Sequence, residues 1–470
     1  MRHLGELFDR WRRHAHGAER IPAAYRPEPI DGERERRLFG KLPDRACARG
    51  FVGGPEPLHR EAGVALARRT AWERHVSGQE PAGATALDHE QLQTSRSVAP
   101  RDHRRRQPKL VDHAGILPGG PLGSGRRILV HMSDQVAEAI RAAIKDHGPI
   151  TFAEFMELAL YGPGGFYEQP PVGAEGDFVT SPHVHPVFGA LVAKALRSFH
   201  AGLGRPEPFR VAEVGAGDGT MAEQLLHELD DLDVDYTAAE VSPGARAALG
   251  AIESVHVTTE LSDRPHVVVA QELLDNLPFR RVVGDREIRV GLDGDRLVEV
   301  ETPWDAEPGP PDVETLVPVG AFSFVDRLAD VLTRGYALLI DYGGVGTTGG
   351  ELHGYRGHSV VEDVLADPGP SDITAGVDFA LVARRAEGRG LVAWPSVTQH
   401  DALLALGFES WLRAELERQT SQLDARKGLE AVRTWSGRSR ATLLVDPSAL
   451  GRLRWLVLAT PDMPRPSWVP

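Results

Sequence analysis

The chain has 470 residues, with 53 Lys and Arg against 67 Asp and Glu and a formal net charge of −14 at pH 7. That length allows two or three domains, and no apolar run approaches the ~18 residues that a membrane-spanning helix needs. The one cysteine, Cys47, excludes an internal disulfide and leaves no thiolate set for a metal.

Charge splits the chain into unlike parts. Residues 1–131 carry 24 Lys and Arg against 16 Asp and Glu, a balance of +8, which leaves 29 against 51, or −22, for residues 132–470. The acidic part does not suit nucleic acid, whose phosphates select basic faces. The first 131 residues hold Pro, Gly, Arg and His in no sustained period, so they offer little apolar surface against the entropy of ordering. They are expected to be a mostly disordered basic extension, with short helices at most at Leu4 to His14 and Glu61 to His75. No methionine falls between Met1 and Met132, so Met132 is expected as the natural start. Met1 to Arg20 lacks the apolar stretch of a secretory signal, and Glu6, Asp9 and Glu19 argue against an import peptide. A cytoplasmic protein with no membrane partner is the resulting expectation.

From Met132 the pattern turns regular. A helix is expected over Val136 to Lys145, and a second over Pro149 to Tyr161, with Thr151 as N-cap and Glu154 in the capping-box position. Gly162-Pro-Gly-Gly-Phe-Tyr167 breaks it, and a further helix follows over Val187 to Phe199. Next comes Phe209-Arg-Val-Ala-Glu-Val-Gly-Ala-Gly-Asp-Gly-Thr220. Val211, Ala212 and Val214 read as a buried strand and Met221 to Leu229 as an amphipathic helix, joined by a turn in which Gly215, Gly217 and Gly219 alternate. Bare backbone there lets a ligand approach closely. A dinucleotide turn more often reads G-x-G-x-x-G; this spacing suits S-adenosylmethionine (SAM). A second strand, Val234 to Glu240, ends in an acid about 20 residues past the glycines, where nucleotide-binding layouts want a carboxylate for ribose hydroxyls. Ser242 as N-cap and Pro243 at the first position start another helix.

Ser254 to Thr259 and His266 to Gln271 are the third and fourth strands, the latter apolar enough to be covered on both faces. Alternating apolar residues between Arg280 and Glu301 indicate an antiparallel meander. Residues 305–317 read as a Pro-rich loop, Phe324 to Thr333 as a helix, and Tyr336 to Ile340 as a fifth strand ending at Asp341. Five glycines between Gly343 and Gly350 suit a mobile loop. Asp401 to Gly407 is helical, helical segments continue through Arg433, and Trp455 to Ala459 is a closing strand. Alternating strands and helices mean a parallel-dominated sheet covered on both faces, whose ligands bind outside the carboxyl ends of the strands. Glu213 to Gly219, Glu240, Gln271 to Asp275 and Asp341 all fall there.

Several blocks in one order carry a resemblance: Gly148-Pro-Ile-Thr151, Tyr161-Gly-Pro-Gly-Gly-Phe-Tyr167, Gly176-Asp-Phe-Val-Thr-Ser-Pro182, Glu213 to Gly219, Glu240-Val-Ser-Pro243, Gln271-Glu-Leu-Leu-Asp-Asn-Leu-Pro278, Asp341-Tyr-Gly343, Gly354-Tyr-Arg356 with His358, Asp372-Ile-Thr374, and Thr398-Gln399. Over about residues 145–460 the chain resembles the MidA-like class I methyltransferases. It departs from them at Gln271, where the family usually has Asn, and at His183-Val-His185-Pro186, where an acidic residue is common. The resemblance implies a Rossmann-like α/β fold with helices on both sheet faces, an inserted antiparallel meander and a helical acceptor-side subdomain. The expected division is a 1–131 extension and a 132–470 catalytic domain, made of a helical lead at 133–200, a core at 208–345 and an acceptor-side and C-terminal region at 346–470.

The residues then take expected roles. Backbone amides of Gly215, Gly217 and Gly219 approach the cofactor carboxylate, Glu240 accepts from the ribose, and Glu213 holds the loop or the ammonium. Thr180, Ser181 and Gln271 complete the cofactor side. Glu272 and Asp275, three apart, can face one way and hold a guanidinium in bidentate fashion, which suits the arginine N-methylation of a protein that the resemblance implies. Tyr355, Arg356 and His358 line the acceptor side. His183 and His185 read as loop histidines, since one pair without a third ligand does not fix a metal. Two other readings stay open: a small-molecule methyltransferase with a closed apolar acceptor pocket, and a non-catalytic assembly factor that keeps the fold.

Overall fold

The computed structural model describes residues 124–168, 180–261, 264–306, 308–346, 352–356 and 359–470. The expectations for residues 1–123 lie outside that set. Five strands, β1 (Phe209–Val214), β2 (Val234–Ala239), β3 (Val255–Thr258), β4 (Val267–Gln271) and β5 (Tyr336–Asp341), form a parallel sheet in the order β3-β2-β1-β4-β5. The closing strand β6 (Arg454–Ala459) pairs antiparallel with all six residues of β5. The short strands Val392–Ala393 and Val397–Thr398 pair in turn with β6.

Every residue of β4 and β5 is buried, which is why both read as unbroken apolar runs rather than alternating ones. Their side chains part to two cores. Val211, Val267, Val269, Leu338 and Ile340 meet α1 (Val187–Gly202) and α2 (Thr220–Glu228). Ala212, Val268, Ala270, Ala337 and Leu339 meet α3 (Val319–Val331) and α4 (Phe379–Gly388) on the other face. The chain closes with α5 (Phe408–Asp424) and α6 (Gly428–Ala441) before β6.

A third core lies under an antiparallel sheet formed by Ile150–Thr151, Arg280–Val283, Arg286–Asp293, Arg296–Pro303 and Glu314–Val317. Val136, Ile140 and Ile144 of the helix Ser124–His147 pack there against Phe152, Phe155 and Phe279. The capping box forms: Glu154 accepts from the Thr151 amide at 2.9 Å, and Thr151 Oγ1 accepts from the Glu154 amide at 3.1 Å. Among the described residues there remain a small sheet of Leu352–Arg356, Ser359–Val361 and Asp372–Ala375, and a two-stranded pairing of Gly343–Gly344 with Val377–Asp378, which takes the start of the expected mobile glycine loop into regular structure.

Several boundaries differ from the sequence reading: the helix expected from Pro149 begins at Phe152, after the strand Ile150–Thr151, and the last helix runs past Arg433 to Ala441. The first described helix begins at Ser124, twelve residues before Val136. The Pro-rich stretch contains a strand, Glu314–Val317, because pairing with Arg280–Val283 outweighs its local turn composition. α3 starts at Val319, directly after Pro318, which serves as N-cap and cannot lie deeper in a helix.

The C-terminal residues lock onto α1 and β5. Trp468 sits edge-on to Trp455 at 5.9 Å and donates to Ser198 Oγ at 3.1 Å, while Tyr336 stacks on Phe199 and donates to the Pro464 carbonyl at 2.8 Å. Trp468→Ala removes a large buried ring and is expected to cost about 3 kcal/mol. Denaturant unfolding checks this, and a loss below 1 kcal/mol would show that the tail does not hold the sheet edge.

Candidate active site

The glycine turn follows β1 directly. Gly215, Gly217 and Gly219 have φ of 71°, 56° and 87°, a region closed to most side chains. A Cβ on Gly219 would come within 2.4 Å of Ile252 Cδ1. Glu240, at the end of β2, is buried and fixed by two amides: Gly217 N donates to Oε2 at 3.0 Å and Ser242 N to Oε1 at 2.8 Å. Ser242 caps the following helix through Ala245 N, with Pro243 at the first position. Glu213, inside β1, accepts from the Tyr236 hydroxyl. Its burial pushes the carboxyl up to about 8, the Tyr236 hydrogen bond offsetting part of that.

β4 delivers the second half of the site. Glu272, the first residue beyond it, has φ of 49°, a conformation that costs of order 1–3 kcal/mol for a side chain of this kind and clusters at functional sites. Its amide donates to Ile340 O at 2.8 Å, and Gln271 Nε2 donates to its Oε1 at 2.9 Å. The chain then makes a tight turn over Leu274–Asn276. Asp341, at the end of β5 and wholly buried, anchors that turn: Oδ2 accepts from Leu274 N at 2.7 Å and Asp275 N at 3.3 Å, and Oδ1 accepts from Tyr342 N at 2.7 Å.

The small sheet holds the turn from the opposite side. Thr374 Oγ1 donates to Asp275 Oδ2 at 2.9 Å, and Asn276 Nδ2 donates to Asp372 Oδ1 at 2.9 Å. Thr374 and Asp372 are two apart on one strand, so they share a face. Tyr161 donates to the Asn276 carbonyl at 3.1 Å and stacks on Tyr167 at 5.3 Å, and Tyr167 reaches Asp372 at 3.4 Å. Tyr161, Tyr167, Asn276, Asp372 and Thr374 have no place in the roles assigned from sequence. The alternation Asp372-Ile-Thr374, two polar residues on one face of a strand, is the signal that could have found two of them.

Glu272, Asp275, Asp341 and Asp372 form an acidic cluster in which, among the described residues, no lysine or arginine takes part. Burial raises all four. Glu272 stands at about 7, with the Gln271 hydrogen bond opposing and the Asp275 charge assisting; Asp275 stands at about 6, with Thr374 opposing; Asp372 stands at about 7. Asp341 is raised well above the ordinary range by burial and by the charges of Asp275 and Glu272. Two buried acceptors, Gln271 Oε1 and Asp275 Oδ1, have no donor.

Other expected residues fall differently. Thr180 bonds His183 Nδ1 at 2.8 Å, and His183 Nε2 reaches Asp218 Oδ2 at 2.9 Å and Thr220 Oγ1 at 3.2 Å. His183 is therefore a tie between the 180–184 segment and the glycine turn rather than a free loop histidine. Ser181 is fully buried and its hydroxyl meets Gln399, at 3.3–3.4 Å, so that hydroxyl faces the protein interior. Arg356 is engaged within the small sheet, with Asp367 at 2.9 Å and Ser371 Oγ at 2.8 Å, and Tyr355 lies beside His353. His358 lies outside the described residues, as do residues 347–350 of the glycine-rich stretch. No group of His, Cys, Asp and Glu among the described residues could hold a metal.

SAM fits these residues. The glycine turn presents bare backbone at three positive-φ positions, Glu240 keeps free lone pairs on two amide-fixed oxygens, and Gln271 Oε1 is an orphaned acceptor for a donor from the ligand. Gly217→Val places a branched residue at φ 56° and is expected to abolish measurable SAM binding in calorimetry; undiminished affinity would detach the turn from the cofactor. The unliganded protein should also lose stability as pH rises from 6.5 to 8. Glu213, Glu272, Asp341 and Asp372 keep protons when folded that they would release unfolded, so the folded state binds more protons in this window and its advantage shrinks with pH. His185 and His266, lowered by burial, act oppositely only near and below pH 6.5. A melting temperature that rises between pH 6.5 and 8 would contradict the cluster.

Known proteins agree with this geometry. Residues 191–395 match a family described as S-adenosyl-L-methionine-dependent methyltransferases. Protein arginine methyltransferase NDUFAF7, mitochondrial, of Mus musculus is 30% identical over 343 residues, covering 61% of this chain and 78% of the relative. Its Xenopus laevis counterpart is 29% identical, covering 58% and 75%. A Burkholderia thailandensis protein solved with S-adenosylhomocysteine bound superposes with a TM-score of 0.63 at 27% identity, covering 73% of this chain and 96% of that one. The curated relatives are mitochondrial proteins, which overturns the cytoplasmic location inferred from the charged first twenty residues. With its parallel sheet, glycine turn and ribose carboxylate, the chain belongs to the MidA-like family of S-adenosylmethionine-dependent methyltransferases.

Proposed function

We propose that the acceptor of this methyltransferase is an arginine side chain of a protein, held by Glu272 and Asp275. The observation that carries the reading is the acidic cluster beyond β4: four carboxyls with no lysine or arginine among them in the described residues, one of them presenting a buried oxygen, Asp275 Oδ1, with no donor. A guanidinium offers five N–H donors in a planar fork and matches paired carboxylates in a way that a neutral small molecule does not. The names of the relatives, protein arginine methyltransferases, support the same acceptor.

SAM supplies an electrophilic methyl group. The protein's part is to place one guanidinium nitrogen in line with it. Glu272 and Asp275 would offset the cation's charge and orient its plane, Gln271 would fix the Glu272 carboxyl and Thr374 that of Asp275, Asp341 would hold the turn beneath them, and the stacked Tyr161 and Tyr167 would exclude water from one side. Glu213, Glu240, the glycine turn, Gln271 and Thr180 stay on the cofactor side. Tyr355 and Arg356 would lie further along the acceptor path, within the small sheet. Residues 132–470 would make up the catalytic domain.

The test uses tritiated SAM with protein extract from a strain lacking the gene. Acid hydrolysis of the labelled protein is expected to yield methylarginine. Glu272→Gln keeps shape and hydrogen bonding but removes charge, so the rate should fall by ~100-fold or more, on the scale of lost electrostatic stabilisation, with SAM affinity nearly unchanged. Label in another residue, or an unaltered rate in the variant, would end the arginine reading; lost SAM affinity would move Glu272 to the cofactor side.

A further inference from the structure

The short helix Ser181–Val184 lies between the two halves of the site, tied on several sides. Ser181 and Pro182 are buried. The Ser181 hydroxyl meets Gln399, which accepts from Trp455 Nε1 at 3.3 Å and donates to the Leu444 carbonyl at 3.0 Å, so this end is fixed to β6. Gln224 of α2 donates to the Pro182 carbonyl at 2.9 Å and accepts from the Gly189 amide of α1 at 3.2 Å.

His183 makes the tie to the glycine turn. Asp218 Oδ1 accepts from the Thr220 amide at 3.1 Å and so caps α2, while Oδ2 meets His183 Nε2 at 2.9 Å. Burial acts to raise the Asp218 carboxyl, and the bonds from His183 and Thr220 more than offset it, leaving it below its ordinary value. A carboxylate only accepts, so Nε2 is the donor of a charge-assisted bond and Nδ1 is the atom shared with Thr180, at 2.8 Å. The side chains are 13% and 29% exposed, so water screens this bond less than a surface pair.

The same segment faces Glu272. Burial and the Asp275 charge raise that carboxyl to about 7, and the groups that pull it back are the Gln271 side chain, the Ser181 amide and His183. One short piece of chain therefore stands against the cofactor turn on one side and against Glu272 on the other. The turn has anchors of its own, Gly215 N on the Ala239 carbonyl at 2.9 Å and Gly217 N on Glu240 at 3.0 Å, so it keeps its shape without His183.

We propose that His183 is a positioning residue of methyl transfer: acting through Asp218, it holds the 180–184 segment so that the glycine turn and Glu272 keep one fixed spacing. Placing Glu272 beside the acceptor rests on the function proposed above. Transfer needs the methyl group and its acceptor in line, whereas cofactor affinity needs only the turn and Glu240. Loss of His183 thus acts on the rate and spares SAM binding.

The test compares methyl transfer from saturating tritiated SAM to protein of an extract lacking the gene with calorimetry of S-adenosylhomocysteine binding. His183→Ala should lower the rate by ~tenfold or more, within the ~100-fold that a misplaced group can cost, and leave affinity within about threefold. His183→Gln, whose amide N–H has the reach of Nε2, should recover most of the rate; His183→Asn, which replaces Nδ1 alone, should not. His183→Ala should add little to the loss caused by Asp218→Ala, as expected of residues acting through one contact. Deuterium exchange needs no acceptor: S-adenosylhomocysteine should slow exchange in residues 181–188 and 272–276 of the wild type, but in the glycine turn alone in His183→Ala. A near-normal rate in His183→Ala, equal rescue by Asn and Gln, a loss confined to cofactor affinity, or slowed exchange at 272–276 in the variant would each overturn the proposal. These comparisons hold whichever amino acid takes the label, so this inference and the arginine reading fail separately.

Discussion

The site depends on one buried carboxylate that need never touch a substrate. Asp341 ends β5, and its oxygens gather the amides of Leu274, Asp275 and Tyr342. Two of those donors, the Leu274 and Asp275 amides, belong to the turn that follows Glu272, so the pairing of β4 with β5 sets the height of the proposed acceptor groups. A buried carboxyl with three amide donors is satisfied as an acceptor, yet burial and two neighbouring acids still raise its pKa. The arrangement thus trades electrostatic ease for position, as sites organised around developing charge do.

The trade extends through the cluster. Folding buries Glu272, Asp275, Asp341 and Asp372 together, where the charge of Asp275 disfavours ionisation of the other three, and Glu272 adopts a left-handed backbone as well. Such an assembly is tolerated because the surrounding structure over-determines it: β4 and β5 from below, the strand Asp372–Ala375 from one side, Tyr161 and Tyr167 from another. A bound cation would relieve the strain, so the free energy withheld in the unliganded fold becomes available to acceptor binding.

Much of the sheet was legible in the sequence because its strands are buried on both faces and its helix starts carry chemical caps. The runs at Val267 to Gln271 and Tyr336 to Asp341, the Ser242-Pro243 cap and the Thr151–Glu154 capping box all rest on local physics, and each appears where it was read. The glycine turn and Glu240 were legible for the same reason: backbone freedom and a strand-end acid lie in one short stretch. What lay hidden depends on contacts between distant segments. Nothing local says that Asp372 and Thr374 would grip Asn276 and Asp275, nearly a hundred positions earlier, or that His183 would bridge to Asp218. Likewise Ser181 is a hydroxyl at a suggestive position, and only tertiary packing shows it turned inward to Gln399.

The central claim is that an ionised Glu272–Asp275 pair receives a cation. Calorimetry of methylguanidinium binding to the S-adenosylhomocysteine-loaded protein at pH 6.5, repeated in buffers of differing ionisation heat, measures protons exchanged on binding. Carboxyls poised at about 7 and about 6 should ionise as the cation arrives, so the account expects proton release that diminishes by pH 8.5 and is reduced in Glu272→Gln. Binding without proton release at pH 6.5, or release unchanged in that variant, would contradict it.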